Sequence, residues 1–323
     1  MDKSQYTAYD VDKTARCCEN LHMSDDSPKI TRLQRKLVTT SMEVNDFVHD
    51  RPEYQHAMLC QLGMPRSRQT ERTFERSLGR ASMMLTAGKR YTRQGWEDMP
   101  LPYGSQPRLA MIHISSTAVR TKSPHIDVSE GIVPFLKDMG MSISGRTFKS
   151  FKNQMTYLAG CEMQLAFDRG DSIRQSRCAP INSFEAWTDP FASQTSFWPD
   201  EITLGHEFFE SLCEHAVPLD PRAIHALQHS ALAMDIYSWL AHRLCRVRTE
   251  NGAKLYWKNL RDQFGQEYKN PKDFKKAFAQ ELRKVLLVYP TARVRQEFGG
   301  IRLFPSPSPI KKTSVSVLLP NQQ

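Results

Sequence analysis

The stretch NPKDFKKAFAQELRKVL, residues 270–286, carries five lysines and arginines beside Phe274, Phe278, Leu282, Val285 and Leu286. On a helical wheel of about 100° per residue, these apolar residues fall within an arc of about 120°. Lys272, Lys276, Gln280, Arg283 and Lys284 fall on the opposite arc, with Lys275 nearby and Asp273 as its acidic member. Cations so grouped repel one another unless a counter-charge lies opposite. Lys and Arg reach phosphates and guanine edges and Gln reaches adenine, so the chemistry such an arc offers is recognition of duplex DNA. Asn270 suits an N-cap and Pro271 the first helical position. Downstream, ARVRQEFGGIRLFPS, 292–306, alternates on both sides of Gly299-Gly300, a hairpin signal. It places Arg293, Arg295 and Arg302 where a wing meets a neighbouring groove or backbone.

The charge distribution points to the same region. Net charge is +9, and Arg243 to Lys312 hold 17 Lys or Arg against 6 Asp or Glu. The remainder holds 27 against 29, so the whole basic excess is C-terminal. Residues 178–221 contain eight acidic residues and no Lys or Arg. One basic module on an otherwise neutral chain points to a polyanionic partner.

Other constellations are weaker. His225 and His229 stand four apart, but HALQH lacks the glutamate of a zinc hydrolase motif. His206-Glu207 and Glu214-His215 read as the surface of the segment joining two halves, and His113 as a core histidine. Trp239 and Tyr237 read as core. The DVD at 10–12 holds a metal only if that tail is ordered. No phosphate-cradling G-x-x-x-x-G-K-[ST] and no H-x-H pair for a nicking tyrosine occur. The expectation is a non-enzyme with no catalytic residues, metal or cofactor. Seven scattered cysteines without C-x-x-C suit a reducing cytoplasm, and no apolar run is long enough to span a membrane.

The elements that must position these residues follow from periodicity. Residues 30–49 predict a helix, and 57–62 and 80–86 short strands flanking an arginine-rich segment; 95–107 predicts a loop. Then come a helix over 108–121, a strand over 125–129, helices over 130–140 and 144–160, and two strands. The second half repeats the order: a long helix over 222–245, a strand at LYW, a helix over 258–265, the basic helix and the hairpin. Helix, strand, helix, helix, hairpin is the order of a winged helix-turn-helix. The expected fold is therefore α+β, mainly helical, with tandem winged helix-turn-helix domains. Expected boundaries are a mobile or helical extension over 1–56, a first winged-helix domain with N-terminal strands over 57–200, a second and basic one over 201–306, and a loose tail over 307–323. The matching helix of the first half presents Arg146, Lys149 and Asn153 outward and is much less basic.

Four segments carry a family likeness: LPYGSQPRLAMIHISSTAVRT (101–121), SGRTFKSFKNQMTYLAGCEMQLAF (144–167), SFWPDEITLGHEFFESLCEHAVPLD (196–220) and DIYSWLAHRLCRV (235–247). They resemble the plasmid-encoded RepA-type replication initiators, from roughly Ala57 to Ser306. The resemblance implies a cytoplasmic protein on bacterial plasmid DNA that binds repeated double-stranded sites at an origin. It also implies opening of AT-rich DNA, recruitment of a host initiator and replicative helicase, and a homodimer that limits copy number. Three alternatives stay open from the residues: a winged-helix repressor, an origin-nicking enzyme, and a scaffold whose basic face meets an acidic protein.

Overall fold

The computed structural model describes residues 31–47, 51–181 and 198–310. The tail with its DVD, and all beyond residue 310, lie outside the described residues.

Helix α1 (Arg32–Asp46) opens on a capping box, with the Thr31 hydroxyl and the Gln34 side chain exchanging hydrogen bonds with each other's backbone. Strand β1 (Glu53–His56) follows. Residues 57–62 form a helix, α2 (Ala57–Leu62), where a strand is expected. A six-residue apolar run suits either state. Here the His56 ring accepts the Met58 N–H as a cap, and Gly63 ends the turn at φ +65. The arginine-rich segment contains strand β2 (Thr73–Leu78), antiparallel to β3 (Ala81–Thr86), whose Ala81, Met83 and Leu85 are buried. The expected loop at 95–107 begins instead with a strand, because β4 (Lys89–Thr92) and β5 (Gly95–Asp98) form a hairpin pairing Tyr91 with Trp96.

Helix α3 (Ser105–Thr121) is buried on nearly all sides, as suits a central helix. Strand β6 (His125–Asp127), α4 (Ile132–Asp138), α5 (Gly145–Gly160), β7 (Glu162–Asp168) and β8 (Ile173–Cys178) follow in the expected order. Their pairing is long-range. β7 adds to β3, giving a four-stranded sheet in the order β2-β3-β7-β8, and β6 pairs with β9 (Glu201–Thr203).

Helix α6 (His206–His215) leads to β10 (Ala216–Leu219), antiparallel to β1. The long helix expected over 222–245 is two helices, α7 (Pro221–Leu227) and α8 (Ala231–Arg243). The Ser230 hydroxyl accepts the Ala233 N–H and starts α8 anew, while the Gln228 amide donates to the carbonyls of His225 and Gly140. The break removes His225 and His229 from one helical face. Finally β11 (Ala253–Tyr256), α9 (Trp257–Phe264), α10 (Pro271–Val288), β12 (Val294–Glu297) and β13 (Gly300–Leu303) close the described chain. Their sheet has the order β11-β13-β12. The molecule is thus a mixed α+β fold of helices and several small antiparallel sheets.

The two most buried helices, α3 and α8, are joined by charge. Arg108 of α3, 3 % exposed, donates through Nε and Nη2 to the Asp235 carboxylate of α8 at 2.7 and 2.9 Å. Its remaining donors reach the carbonyls of Met64, Pro65 and Gly104. Arg66 lies 3.6 Å from the same carboxylate and holds Glu267, in the α9–α10 turn, through backbone and side chain. Arg76 of β2 donates to the Gln263 carbonyl. Burial and the neighbouring Arg66 bring its pKa down to about 10.

Candidate nucleic-acid interface

Helix α10 starts where its sequence places it. The Asn270 side chain accepts the Lys272 N–H at 2.9 Å and Pro271 takes the first helical position. Phe274, Phe278, Leu282, Val285 and Val288 are buried. An aromatic chain seats this face: Phe274 to Phe278 at 5.6 Å, Phe278 to Phe264 of α9 at 5.5 Å, and Phe264 to Trp239 of α8 at 5.3 Å. Such edge and tilted contacts add to area burial and fix the helix's rotation. The opposite face is therefore set by the core beneath it.

On that face Lys272, Lys275, Lys276, Gln280 and Arg283 are exposed. Among the described residues no ion pair holds Lys272, Lys276 or Arg283. Lys284 is placed differently from the expectation. It is half-buried, and its ammonium lies 2.6 Å from the Glu281 carboxylate. Glu281 is a counter-charge that the wheel left out, and it takes Lys284 out of the free arc. Lys275 sits over the Trp257 ring, 5.3 Å from its centroid, a cation–π contact that leaves its charge outward-facing.

The hairpin arginines are only partly free. Arg295 and Arg302 both donate to the Glu297 carboxylate, at 2.7 and 2.8 Å. Arg302 first and Arg295 second hold that carboxyl down at about 2. Arg293 and Arg295 lie over the Phe304 ring, 5.6 and 5.4 Å from its centroid. Lys254 and Lys258, both exposed on β11 and α9, stand in the same module and were not singled out by the sequence pattern. Each is an isolated cation in a short element, so periodicity marks neither.

In the first half, Arg146, Lys149 and Asn153 are exposed along α5, over a buried side of Phe151, Met155 and Leu158. Ser150 beside them donates to Gln106 at 2.8 Å. The sites on α5 and α10 are carried by different sheets, since β7 is bound to β3 whereas β13 is bound to β11.

The remaining polar clusters among the described residues are as follows. A cleft of about 760 Å³ between α2, α6 and the β7–β8 hairpin is lined by His56, Ser211, Arg174, Glu207, Glu210, Glu214 and His242, among others. His56 Nε2 lies 3.0 Å from Ser211 Oγ. Its Nδ1 already accepts the Met58 N–H, so the proton sits on Nε2 and the ring donates to the serine rather than deprotonating it. Burial lowers the His56 pKa to about 4. His113 packs edge-on to Phe135 at 4.9 Å and is lowered to about 4 for the same reason. Tyr237 and Trp239 are core residues. Among the described residues no three His, Cys, Asp or Glu side chains group as metal ligands, and no helix is long and apolar enough to cross a membrane.

Comparison with known proteins bears on the central part of the chain. No curated protein matches it. Two crystal structures of domains 2 and 3 of RctB, one of a selenomethionine derivative, are similar at 13 % identity, with TM-scores of 0.46 and 0.48. Both alignments cover 76 % of this chain and 94 % of the other. Residues 101–259 match the family described as plasmid encoded RepA protein. The match opens at Leu101 of LPYGSQPRL, where Arg108 braces α8, and closes inside α9, leaving α10 and the arginine hairpin downstream of it. Over residues 101–259, just under half of its length, the chain is similar to the plasmid-encoded RepA family.

Proposed function

We propose that this chain is a plasmid replication initiator that binds repeated duplex DNA sites at its origin. Within it, residues 201–306 act as a winged helix-turn-helix domain whose α10 enters the major groove. The observation that carries this is the α10 face itself. Four exposed cations and Gln280 are presented on a helix whose opposite side is locked by Phe274, Phe278 and Leu282. Order and pairing support the winged-helix assignment. α9 and α10 are followed by the β12–β13 hairpin, and β11, before the helix pair, closes the sheet against β13. Residues 57–200 form the companion domain and contribute less through Arg146, Lys149 and Asn153. Lys and Arg supply phosphate neutralisation, while Gln280 is suited to base edges. The similarity of residues 101–259 to the plasmid-encoded RepA family supports the initiator role, and with it origin opening and contacts to a host initiator and helicase.

The test is salt-dependent binding to duplexes selected by the protein from a randomised library. Each lost phosphate contact reduces the slope of log affinity against log salt by about 0.9. Lys276→Ala with Arg283→Ala is expected to lower the slope by roughly 2 and to weaken every selected site. An unchanged slope would remove α10 from the interface. Permanganate probing of a supercoiled plasmid carrying the site separates initiator from repressor. Reactive thymines beside the bound repeats are expected, and their absence even with host factors would favour a repressor.

A further inference from the structure

The tip of the β12–β13 hairpin carries the most exposed large apolar side chain among the described residues. Phe298 is 98 % exposed. It precedes Gly299, which takes φ +81, a backbone conformation that L side chains rarely adopt. A flexible loop would explain such exposure without function, but this tip is tethered. The Gly299 carbonyl accepts the Trp257 N–H at 3.0 Å. The next residue, Gly300, packs so close to β11 that a Cβ there would stand 1.9 Å from the Leu255 carbonyl oxygen. The turn is thus pinned to the start of α9, and Phe298 is held out into solvent.

The tether also says where the tip lies. The Trp257 whose N–H holds Gly299 is the residue whose ring carries Lys275 of α10. The tip therefore flanks the basic face near its N-terminal half. Around it the surface is cationic and aromatic. Tyr256, 55 % exposed, pairs with Gly300 across the sheet and carries Lys254 over its ring at 5.1 Å. Arg293, Arg295 and Arg302 line the hairpin below. A docking site for an apolar protein surface would surround the phenylalanine with other apolar side chains. Here its flank is Tyr256 with Lys254 over its ring, and the three arginines behind the tip have one carboxylate among them, Glu297, held by Arg295 and Arg302, so the hairpin stays net cationic and suits a partner that offers a stacking face between rows of phosphates.

We propose that Phe298 is a wedge that enters the minor groove beside the major groove occupied by α10 and unstacks a base step there. Apolar side chains inserted in this way kink duplexes toward the major groove, and the cost of unstacking is offset by the extra backbone contact the bend allows. Lys254, on the strand paired beside the tip, meets a phosphate next to the inserted ring. The wedge rests on the functional assignment of α10, and it gives the hairpin a role beyond charge: it localises a distortion at the edge of each site.

The experiment uses the full chain and duplexes that it selects from a randomised library. The bend is read by resonance energy transfer between labelled duplex ends, and unstacking by 2-aminopurine placed along the flank of the site. Phe298→Ala is expected to keep the footprint of α10 and the far-ultraviolet circular dichroism, to abolish the bend and the 2-aminopurine signal, and to weaken binding roughly tenfold. Phe298→Trp, which keeps a stacking face, is expected to retain both signals. Unchanged bend and affinity in Phe298→Ala would overturn the wedge and leave α10's role intact. A dimer lost in Phe298→Ala with the bend retained would overturn it in favour of a contact between copies. A wild-type chain that selects no duplex would overturn the DNA assignment and the wedge together.

Discussion

Arg108→Ala tests the brace between the two central helices. The substitution removes one partner of a buried ion pair and strands the Asp235 carboxylate, which is 10 % exposed. It also withdraws donors from the carbonyls of Met64, Pro65 and Gly104. Removing one partner of a buried pair costs about 3–5 kcal/mol. Arg66, 3.6 Å from the carboxylate, recovers part of that, while each carbonyl left without a partner adds about 1 kcal/mol. The expected loss is about 4 kcal/mol, equivalent to roughly 6 °C in Tm for a chain of this size. Arg108→Lys should recover under half, since one ammonium cannot span two carboxylate oxygens and three carbonyls. Arg108→Leu with Asp235→Leu should be less destabilised than the sum of the single changes by about 2 kcal/mol or more. Urea and thermal unfolding followed by circular dichroism give the values for these variants and for the two single Leu changes. A loss under about 1 kcal/mol for Arg108→Ala, or strict additivity in the double variant, would refute the brace.

Four further outcomes follow from the same geometry. His56 is neutral in the fold with a pKa of about 4, below its ordinary 6.5, so the unfolded chain binds the extra proton. Stability should therefore fall as pH drops from 6.5 toward 4, by up to roughly 3 kcal/mol for this residue, and His56→Asn should make the pH dependence of the urea midpoint shallower, leaving the share of His113 and His242, which burial lowers likewise. Glu297 stays ionised down to about 2 and occupies Arg295 and Arg302. Glu297→Gln should release both to phosphates, tightening DNA binding several-fold at low salt and steepening the salt slope by about 1. Lys284→Ala should move that slope far less than Lys276→Ala, because Lys284 already has Glu281; titrations of the two variants side by side decide this. Arg146→Ala with Lys149→Ala should reduce the slope by less than the Lys276 and Arg283 pair, read in the same titration.

What the sequence made legible is what is local. Helix α10 follows from a cap, a proline and a three-to-four spacing, all within one segment. The hairpin follows from alternation across a glycine pair. The break between α7 and α8 was also local but was hidden, because the apolar period runs on through Ser230 and only its hydroxyl marks the new start. Residues 57–62 were ambiguous in principle, and the cap from His56 decided for helix. Long-range pairings were not legible. Arg108 stands in the most distinctive sequence block, yet its partner lies 127 residues away, so nothing local shows that the block holds helices together rather than reading DNA. The same holds for the Glu267 contact of Arg66, 201 residues apart.

The two halves share an order of elements but not a pairing scheme, and this bears on how they divide the work. In the second half the strand before the helix pair, β11, closes on β13, so the sheet is completed within the module and its hairpin tip is left projecting. In the first half the corresponding strand β6 pairs instead with β9, and the hairpin strand β7 is taken up by β3. That hairpin has become part of a four-stranded sheet. Its Arg177 is paired with Glu162 across the strands at 2.5 Å. A strand that completes a sheet cannot also move freely to follow a groove, and a paired arginine neutralises a phosphate only by giving up its carboxylate. The buried network then gains a purpose. Arg66 reaches Asp235 and Glu267 together, and Arg76 reaches the end of α9 from β2. The sheet of the first half thereby sets the angle of the turn from which α10 departs. On the proposed function, the first half would act chiefly as the frame that aims the basic helix, and the charge proposed to meet DNA is concentrated where the frame points it.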